Sequence, residues 1–234
     1  MEKISCLIFD LDGTLIDSAE DIFLAVDYTL RKLGAPGRSR AEVHGFIGDG
    51  MKQLLAKSLG SAKDNAKDGL KDGAKDGADD GADENLVQRA IEIFRPYYKE
   101  HCAENTKIYP EVLEMLQYYQ SRKLAIVTNK PFEMTQRLLQ YFSIEHYFSS
   151  VLGGDSTKHR KPHAEPLLQT MQTLRCAPQE TLMIGDGTAD LQAAKAASVK
   201  SCAVTYGYRS WDELKNFQPD YKIDRLSELK QIVQ

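Results

Sequence analysis

Acidic and other polar side chains follow three of the apolar runs that the sequence predicts to be buried strands. The runs at 3–9, 123–128 and 181–184 end in Asp10-Leu11-Asp12-Gly13-Thr14, Thr128-Asn129 and Gly185-Asp186-Gly187-Thr188-Ala189-Asp190, respectively. Lys161-Pro162 precedes the third run. Ligand sites in open parallel sheets lie at the carboxyl ends of the strands. Three acids, a threonine, an asparagine and a lysine are therefore expected to converge at one edge of a sheet.

A cluster of this kind suits phosphoryl transfer. Two carboxylates 4 Å apart repel each other by about 1–4 kcal/mol, depending on the effective dielectric constant. Mg²⁺ would relieve that repulsion, because its preferred ligands are carboxylates, water and a substrate phosphate. A lysine such as Lys161 would neutralise a bound phosphate and keep a nucleophilic carboxylate ionised. An aspartate can then attack phosphorus, and water resolves the acyl phosphate.

The elements that must position these residues form an α/β pattern. Strand and helix signals alternate from residue 107 onward, which predicts a parallel sheet with right-handed crossovers. Residues 18–105 are predicted to be helical throughout, and they interrupt the alternation directly after the first strand. We therefore expect a Rossmann-like catalytic core made of 1–17 and 106–234, with a helical cap domain inserted at 18–105.

Local signals set the expected element bounds. Ser18 is expected to be the N-cap of a helix at 19–33, with Asp21 three residues on. Pro96 should kink or break a helix at 86–103. The remaining predicted helices lie at 40–47, 50–59, 111–122, 132–141, 166–175, 189–197 and 226–233, and the remaining strands at 147–152, 200–204 and 221–223.

Six tandem tetrads at 62–85 explain the net charge. The tract holds four lysines and eight acidic residues, which accounts for the whole formal charge of −4 of the 234-residue chain. Acids and lysines three apart favour a helix slightly, whereas four glycines each cost a helix about 1 kcal/mol. Helix and coil both stay open, and the composition favours a mobile surface segment within the cap.

Composition excludes several classes of protein. The balanced charge argues against binding of nucleic acid, and no apolar run approaches the length of a membrane span. The N-terminus does not resemble a signal peptide. Four widely spaced cysteines are expected to be free thiols in the cytoplasm. None of the five histidines is expected to bind a metal, and Tyr97 and Tyr98 are expected to pack within the cap or core.

The four polar segments together resemble the motifs of the haloacid dehalogenase superfamily. Asp10 to Ser18 is similar to motif one, Thr128-Asn129 to motif two, Lys161-Pro162 to motif three and Gly185-Asp186 to Asp190 to motif four. Order and spacing match over the chain except at 62–85. Ile47-Gly48-Asp49-Gly50 resembles the cap loop of bacterial phosphoglycolate phosphatases, and Lys107 to Val112 and Val127 to Pro131 fit the same branch.

The resemblance implies a role for each acid of the site. Asp10 would be the nucleophile and a Mg²⁺ ligand. Asp12 would be the general acid and then the general base, and its main-chain carbonyl would bind the metal. Asp186 would be the third protein ligand of Mg²⁺, and Asp190 would orient Lys161 or a metal-bound water.

The resemblance also implies how the phosphate is held. Lys161 would pair with Asp10 and with the phosphate, while Thr128 and Asn129 would hold phosphoryl oxygens. Gly13 would let backbone N–H groups approach the phosphate, and the glycines at 48 and 50 would act similarly from the cap. Arg38, Arg40, His44 and Lys52 are candidates for binding a substrate carboxylate.

The function expected from the resemblance is hydrolysis of a small phosphate ester, most simply 2-phosphoglycolate, through an aspartyl phosphate. A phosphomutase of the same superfamily, similar to β-phosphoglucomutase, is an alternative, as is a phosphatase for an amino-sugar phosphate or pyrophosphate. A binding protein that has lost its chemistry is disfavoured, because Asp10, Asp12, Lys161 and Asp186 are all present. The chain would act as a monomer or homodimer.

Overall fold

A computed structural model describes residues 4–60 and 83–233. Its strands are β1 (Cys6–Phe9), β2 (Ile16–Asp17), β3 (Lys107–Ile108), β4 (Lys123–Val127), β5 (Ser150–Leu152), β6 (Thr181–Gly185), β7 (Lys200–Val204) and β8 (Tyr221–Ile223). Six of them form one parallel sheet in the order β5-β4-β1-β6-β7-β8. Strands β2 and β3 pair separately as a short antiparallel ribbon, which the sequence did not predict.

Residues 4–60 and 83–233 contain ten α-helices in addition to the strands. They are α1 (Ala19–Leu33), α2 (Arg40–Phe46), α3 (Met51–Leu59), α4 (Glu84–His101), α5 (Val112–Tyr118), α6 (Phe132–Tyr141), α7 (Glu165–Leu174), α8 (Thr188–Ala196), α9 (Trp211–Leu214) and α10 (Leu229–Ile232). Helices α1–α4 pack on one another as an insertion between β2 and β3. The expected α/β fold with an inserted helical cap is therefore confirmed.

Alternate residues of the central strands serve two different cores. In β1, Leu7 and Phe9 belong to the larger apolar cluster, which continues into helices α1–α4, whereas Cys6 and Ile8 belong to a cluster covered by α7 and α8. All four side chains are buried, as expected for a parallel strand with helices on both faces. The burial on both faces explains why this strand reads as a continuous apolar run.

Several predicted bounds differ from the structure. Helix α4 runs through Pro96 without a break, and it begins at Glu84 with Asp83 as its side-chain cap. Helix α5 ends at Tyr118, and β5 begins only at Ser150 because residues 145–147 form a 3₁₀ turn. The last predicted helix is a 3₁₀ turn followed by α10. Of the tetrad repeat, residues 62–82 lie outside the described residues.

The chain passes between the sheet and the helical insertion at the β2–β3 ribbon. Ile16 pairs with Ile108 and Asp17 with Lys107. Beyond the ribbon, the carboxylate of Asp21 in α1 is buried and accepts hydrogen bonds from Asn105 and Thr106, which lie just before β3. The donors are Asn105 N (3.0 Å) and Nδ2 (2.8 Å), and Thr106 N (2.8 Å) and Oγ1 (2.7 Å). The two segments that connect the sheet to the helical insertion, one entering it and one leaving it, are thus hydrogen-bonded to each other at the ribbon and at Asp21. We call these two segments the crossings.

The expected capping by Ser18 and Asp21 is wrong in its side-chain contacts. Ser18 occupies the N-cap position of α1 but makes no side-chain cap bond. Its hydroxyl instead donates to Asp12, and Asp21 bonds the far end of the insertion. Tertiary partners have displaced the local capping contact that the spacing suggested. Among residues 4–60 and 83–233, no helix is long and apolar enough to cross a membrane.

Candidate active site

The three neighbouring central strands each end at a polar residue of the predicted site. Asp10, Thr128 and Asp186 are the first residues after β1, β4 and β6, which are adjacent in the sheet. The backbone N–H of Asp10 donates to the carbonyl of Ile184 (2.9 Å), so the ladder extends to the edge of the site. All three polar side chains are buried. The structure therefore brings these predicted residues together at one edge.

Lys161 reaches this edge from the loop that precedes α7. Its Nζ lies 3.0 Å from Asp10 Oδ1 and 2.6 Å from Asp190 Oδ1, and it donates to the carbonyl of Val127 (2.6 Å). Burial alone would lower the pKa of Lys161, but the two carboxylates outweigh that effect and raise it above its usual range. The buried ammonium group of Lys161 therefore has three acceptors, and it forms ion pairs with both Asp10 and Asp190.

Three buried carboxylates form a group that fits a divalent cation. Asp10, Asp186 and Asp190 each offer an oxygen within 4.8 Å of the others. Burial, together with the charges of Asp10 and Asp190, raises the pKa of Asp186 to about 8. Both oxygens of Asp190 already accept hydrogen bonds, from Lys161 and from the N–H of Gly187 (2.9 Å). Carboxylates are the ligands that a hard cation such as Mg²⁺ prefers, so this group of three is a candidate metal site.

Two glycines make room for the carboxylate of Asp186. Gly13 has a φ of +82°, and a Cβ at this position would lie 2.2 Å from Asp186 Oδ2. A Cβ at Gly207 would lie 2.2 Å from Asp186 Cβ. The remaining contacts come from Thr14 Oγ1 (3.0 Å) and the N–H of Tyr208 (2.8 Å), both of which donate to Asp186. The glycine of motif one is thus required sterically, and sequence reasoning missed Gly207.

The carboxylate of Asp12 points to a different set of partners. Ser18 Oγ donates to it (2.5 Å), and Lys130 Nζ donates to both of its oxygens (2.9 and 3.0 Å). Lys130 Nζ also donates to the hydroxyl of Tyr98 in α4 (2.6 Å). Sequence reasoning quoted Lys130 only as part of the motif after β4 and gave it no role. Tyr98 packs against Phe94 as expected, but it also reaches the site.

A cavity lies between the sheet edge and the helical cap. The sheet side contributes polar residues, and the cap side contributes apolar ones. The lining residues are Asp10, Asp12, Thr128, Asn129, Lys130, Pro131 and Met134 from the core, and Ile22, Ile47, Gly48, Gly50, Met51, Leu54, Phe94 and Tyr98 from the cap. A second, smaller cavity continues past Asp186 and Asp190 to Arg209.

Two core residues hold the cap loop over the site. Asn129 Nδ2 donates to the carbonyls of Gly48 (2.9 Å) and Lys161 (3.0 Å). Arg209 donates to the carbonyls of Gly45 and Ile47 (both 2.8 Å). The predicted phosphate ligand Asn129 thus also bonds the cap loop, and its buried Oδ1 has no hydrogen-bond partner within the described part of the chain.

The four candidates for carboxylate recognition lie elsewhere. Arg40 forms two hydrogen bonds with Glu20, Lys52 pairs with Glu84, and Arg38 donates to the carbonyl of Ser58. His44 packs edge-on against Tyr208. None of the four lines either of the two cavities, as far as residues 4–60 and 83–233 describe them. The cationic residue that lines the larger cavity is Lys130.

The expectation for the histidines overlooked one pair. His159 and His163 are four positions apart, and the structure stacks their rings 4.6 Å apart beside Glu165. The nitrogen and oxygen atoms of the three side chains lie close enough together to hold a metal ion. The two histidines are exposed in the loop that carries Lys161, and Glu165 is the first residue of α7. None of the three lines the two cavities described above.

Comparison with known proteins identifies relatives over nearly the whole chain. Phosphoglycolate phosphatases from Escherichia coli and Nitrosococcus oceani are 37% and 32% identical to it, over 97% of this chain and 92% and 95% of theirs. A crystal structure from Haemophilus somnus, described as a predicted phosphoglycolate phosphatase, superposes with a TM-score of 0.85 at 30% identity, covering all of both chains.

A family profile agrees with these relatives. The profile described as haloacid dehalogenase-like hydrolase matches residues 7–204, which include Asp10, Asp12, Thr128, Lys161 and Asp186. A structure of that family from Streptococcus pneumoniae superposes with a TM-score of 0.82 at 27% identity, again over all of both chains. With its polar site residues at three adjacent strand ends under a helical insertion, this chain belongs to the haloacid dehalogenase-like hydrolases.

Proposed function

We propose that this enzyme is a Mg²⁺-dependent phosphomonoesterase that hydrolyses 2-phosphoglycolate through a phosphoaspartyl intermediate on Asp10. The observation that carries the proposal is the position of the Asp10 carboxylate. It lines the cavity under the cap, it is ion-paired with the buried Lys161, and it lies beside Asp186. The names of the relatives from Escherichia coli and Nitrosococcus oceani support the choice of substrate.

Asp10 and Asp12 divide the chemistry between them. A carboxylate oxygen of Asp10 attacks phosphorus while the bond to the leaving oxygen breaks, and Asp12 gives its proton to that oxygen. Asp12 then takes a proton from water, whose oxygen attacks the phosphorus of the phosphoaspartate. Inorganic phosphate leaves, Asp10 is restored, and one water is consumed per turnover.

The other residues of the site bind and position. Asp10, Asp186 and the main-chain carbonyl of Asp12 would hold Mg²⁺, which supplies neutralisation of phosphate charge when bound. Lys161 and Thr128 would contact phosphoryl oxygens.

Asn129 and Gly13 would complete the phosphate site. Asp190, which bonds Lys161 Nζ at 2.6 Å, would position that ammonium. Because Asn129 also bonds the cap loop, phosphate binding and cap position would be coupled through it.

A panel of phosphate esters tests the proposal. The purified protein with Mg²⁺ should release phosphate from 2-phosphoglycolate faster than from amino-sugar phosphates, nucleotides or pyrophosphate. Asp10→Asn should abolish release, with a loss of at least about 10⁴-fold, while circular dichroism stays unchanged. Isomerisation of a sugar phosphate without net phosphate release would instead establish the phosphomutase alternative.

The remaining organisational features are proposals as well. We place the cap at residues 18–105 and the core at 1–17 and 106–234, in keeping with the ribbon at 16–17 and 107–108. We propose that the enzyme acts in the cytoplasm as a monomer or homodimer, without nucleic-acid or membrane partners.

A further inference from the structure

Lys130 is a buried cation at the junction of core and cap. The side chain is only 3% exposed, and its Nζ donates to both oxygens of Asp12 and to the hydroxyl of Tyr98. The same Nζ lies 4.7 Å from the centre of the Tyr98 ring. An ammonium group removed from water in this way requires anionic and polar partners in place of its hydration, and Asp12 and Tyr98 supply them. Its surroundings are therefore built to hold a positive charge inside the cavity.

The rest of the cavity wall leaves few places for a charged substrate group. Among the described residues, Lys130 is the only lysine or arginine that lines the larger cavity. The cap wall around it is mainly apolar, with Ile22, Leu54 and Phe94 as examples. An anionic group extending from the phosphate toward the cap would lose its hydration there, and such a loss is tolerated only where a cation or hydroxyl replaces the water.

The chemistry of the leaving group determines where such an anion would lie. In the proposed mechanism, Asp12 contacts the oxygen that leaves phosphorus. In 2-phosphoglycolate, one methylene separates that oxygen from the carboxylate. Since Lys130 Nζ is hydrogen-bonded to Asp12 itself, the substrate carboxylate would come within reach of Lys130. The phenol oxygen of Tyr98 accepts from Lys130, which leaves its proton to donate to an anion.

We propose that Lys130 and Tyr98 form the subsite that recognises the second anionic group of the substrate, a carboxylate on the carbon next to the phosphate ester. This inference rests on the proposed function. It assigns specificity to one residue of the core loop after β4 and one residue of cap helix α4. It also explains why the arginines and the lysine at 38, 40 and 52 are paired on the cap surface.

Two substrates that differ only at this group test the inference. The carboxylate of 2-phosphoglycolate is replaced by a hydroxymethyl group in 2-hydroxyethyl phosphate. The wild-type enzyme should prefer 2-phosphoglycolate in kcat/KM, and Lys130→Met should reduce that preference by about 100-fold. Tyr98→Phe should reduce it by about tenfold, mainly through KM, and Lys130→Arg should retain part of it.

Matched controls separate the subsite from general damage. Lys52→Met removes an exposed lysine of the cap and should leave the preference unchanged. Thermal unfolding shows whether Lys130→Met is folded. If it is not, the test rests on Tyr98→Phe and its ratio of kcat/KM for 2-phosphoglycolate to kcat/KM for 2-hydroxyethyl phosphate. An unchanged preference in a folded Lys130→Met enzyme, or in Tyr98→Phe when Lys130→Met is unfolded, overturns the subsite. A wild-type enzyme without preference for the carboxylate also overturns it.

The same measurements distinguish failure of the subsite from failure of the proposed function. A wild-type enzyme that hydrolyses other phosphate esters but not 2-phosphoglycolate would refute the proposed substrate, and the subsite with it. A wild-type enzyme that prefers 2-phosphoglycolate and keeps this preference in the Lys130 and Tyr98 variants would refute only the subsite.

Discussion

The core and cap sides of the site satisfy their charges in opposite ways. On the core side, Asp10, Asp190 and Lys161 are buried and bonded to one another at 2.6–3.0 Å. On the cap side, three cations of the described residues do not line the cavity and pair with acids of the cap helices. These pairs are Arg38 with Glu42, Arg40 with Glu20, and Lys52 with Glu84.

This difference indicates that the core and the cap have different roles in the site. The core supplies fixed charges that can act on phosphorus, and such preorganised charges are worth most where water is excluded. The cap supplies apolar surface, the hydroxyl of Tyr98 and the backbone of the loop at 45–50. Changes in the core should therefore affect chemistry and metal binding, whereas changes in the cap should affect which substrates are accepted.

Among the variants that test this difference between core and cap, Asp186→Asn in the core is expected to have the largest effect, a loss of Mg²⁺ affinity. The variant loses one of the three clustered carboxylates, so the dissociation constant for Mg²⁺ should rise by at least about 100-fold. Calorimetric titration with Mg²⁺ alone measures this value directly. Asp212→Asn, which alters an exposed acid paired with Lys215, should leave it unchanged. Equal affinities in both variants would contradict the assignment of Asp186.

A smaller effect is expected where core and cap are joined. Asp21→Ala would leave the N–H groups of Asn105 and Thr106 without their acceptor, which should lower the free energy of unfolding by about 2 kcal/mol. Urea denaturation measures the loss. Asp27→Ala on the same helix removes only an exposed pair with Arg31 and should cost less than about 0.5 kcal/mol. Similar losses in both variants would show that Asp21 does not tie the crossings.

The smallest effect is expected from removal of the tetrad repeat in the cap. Residues 83–85 belong to the start of α4, so the deletion should span 61–82. Lys52 near the start of α3 pairs with Glu84, so a replacement linker must return along α3, about 13 Å. Eight glycine and serine residues reach that far. We expect kcat to change by less than about twofold, and a tenfold loss would show that the tract shapes substrate access.

The sequence was sufficient for the parts of the molecule that are encoded locally. Helices at 19–33 and 132–141 and strands at 200–204 and 221–223 have the predicted bounds. Polar residues at strand ends could be placed together because adjacent parallel strands bring their carboxyl ends to one edge. Lys161 was expected at the same edge, but its pairing with Asp10 was implied only by the family resemblance, since nothing in its local sequence indicates that contact.

The missed contacts join residues that are far apart along the chain. Lys130 bonds Asp12 across 118 positions, and Asp21 bonds Thr106 across 85. The spacing of Ser18 and Asp21 predicts a capping role, because the two residues are three positions apart. The sequence alone does not indicate their distant partners. The folded chain offers each of them a buried polar partner instead, and a buried polar group without a partner is costly.

The β2–β3 ribbon has a consequence for how such a protein can be rebuilt. Because both crossings of the chain run through one paired ribbon and are bonded again at Asp21, the insertion can be exchanged as one cassette where its contacts with Asn129, Lys130 and Arg209 are kept. A transplanted cassette needs to retain Ser18, which bonds Asp12, and the contact of Asp21 with Asn105 and Thr106. Insertions far from the ribbon then leave the register of the catalytic sheet unaltered. The helical insertion can therefore vary in length and sequence, in natural proteins as in engineered ones.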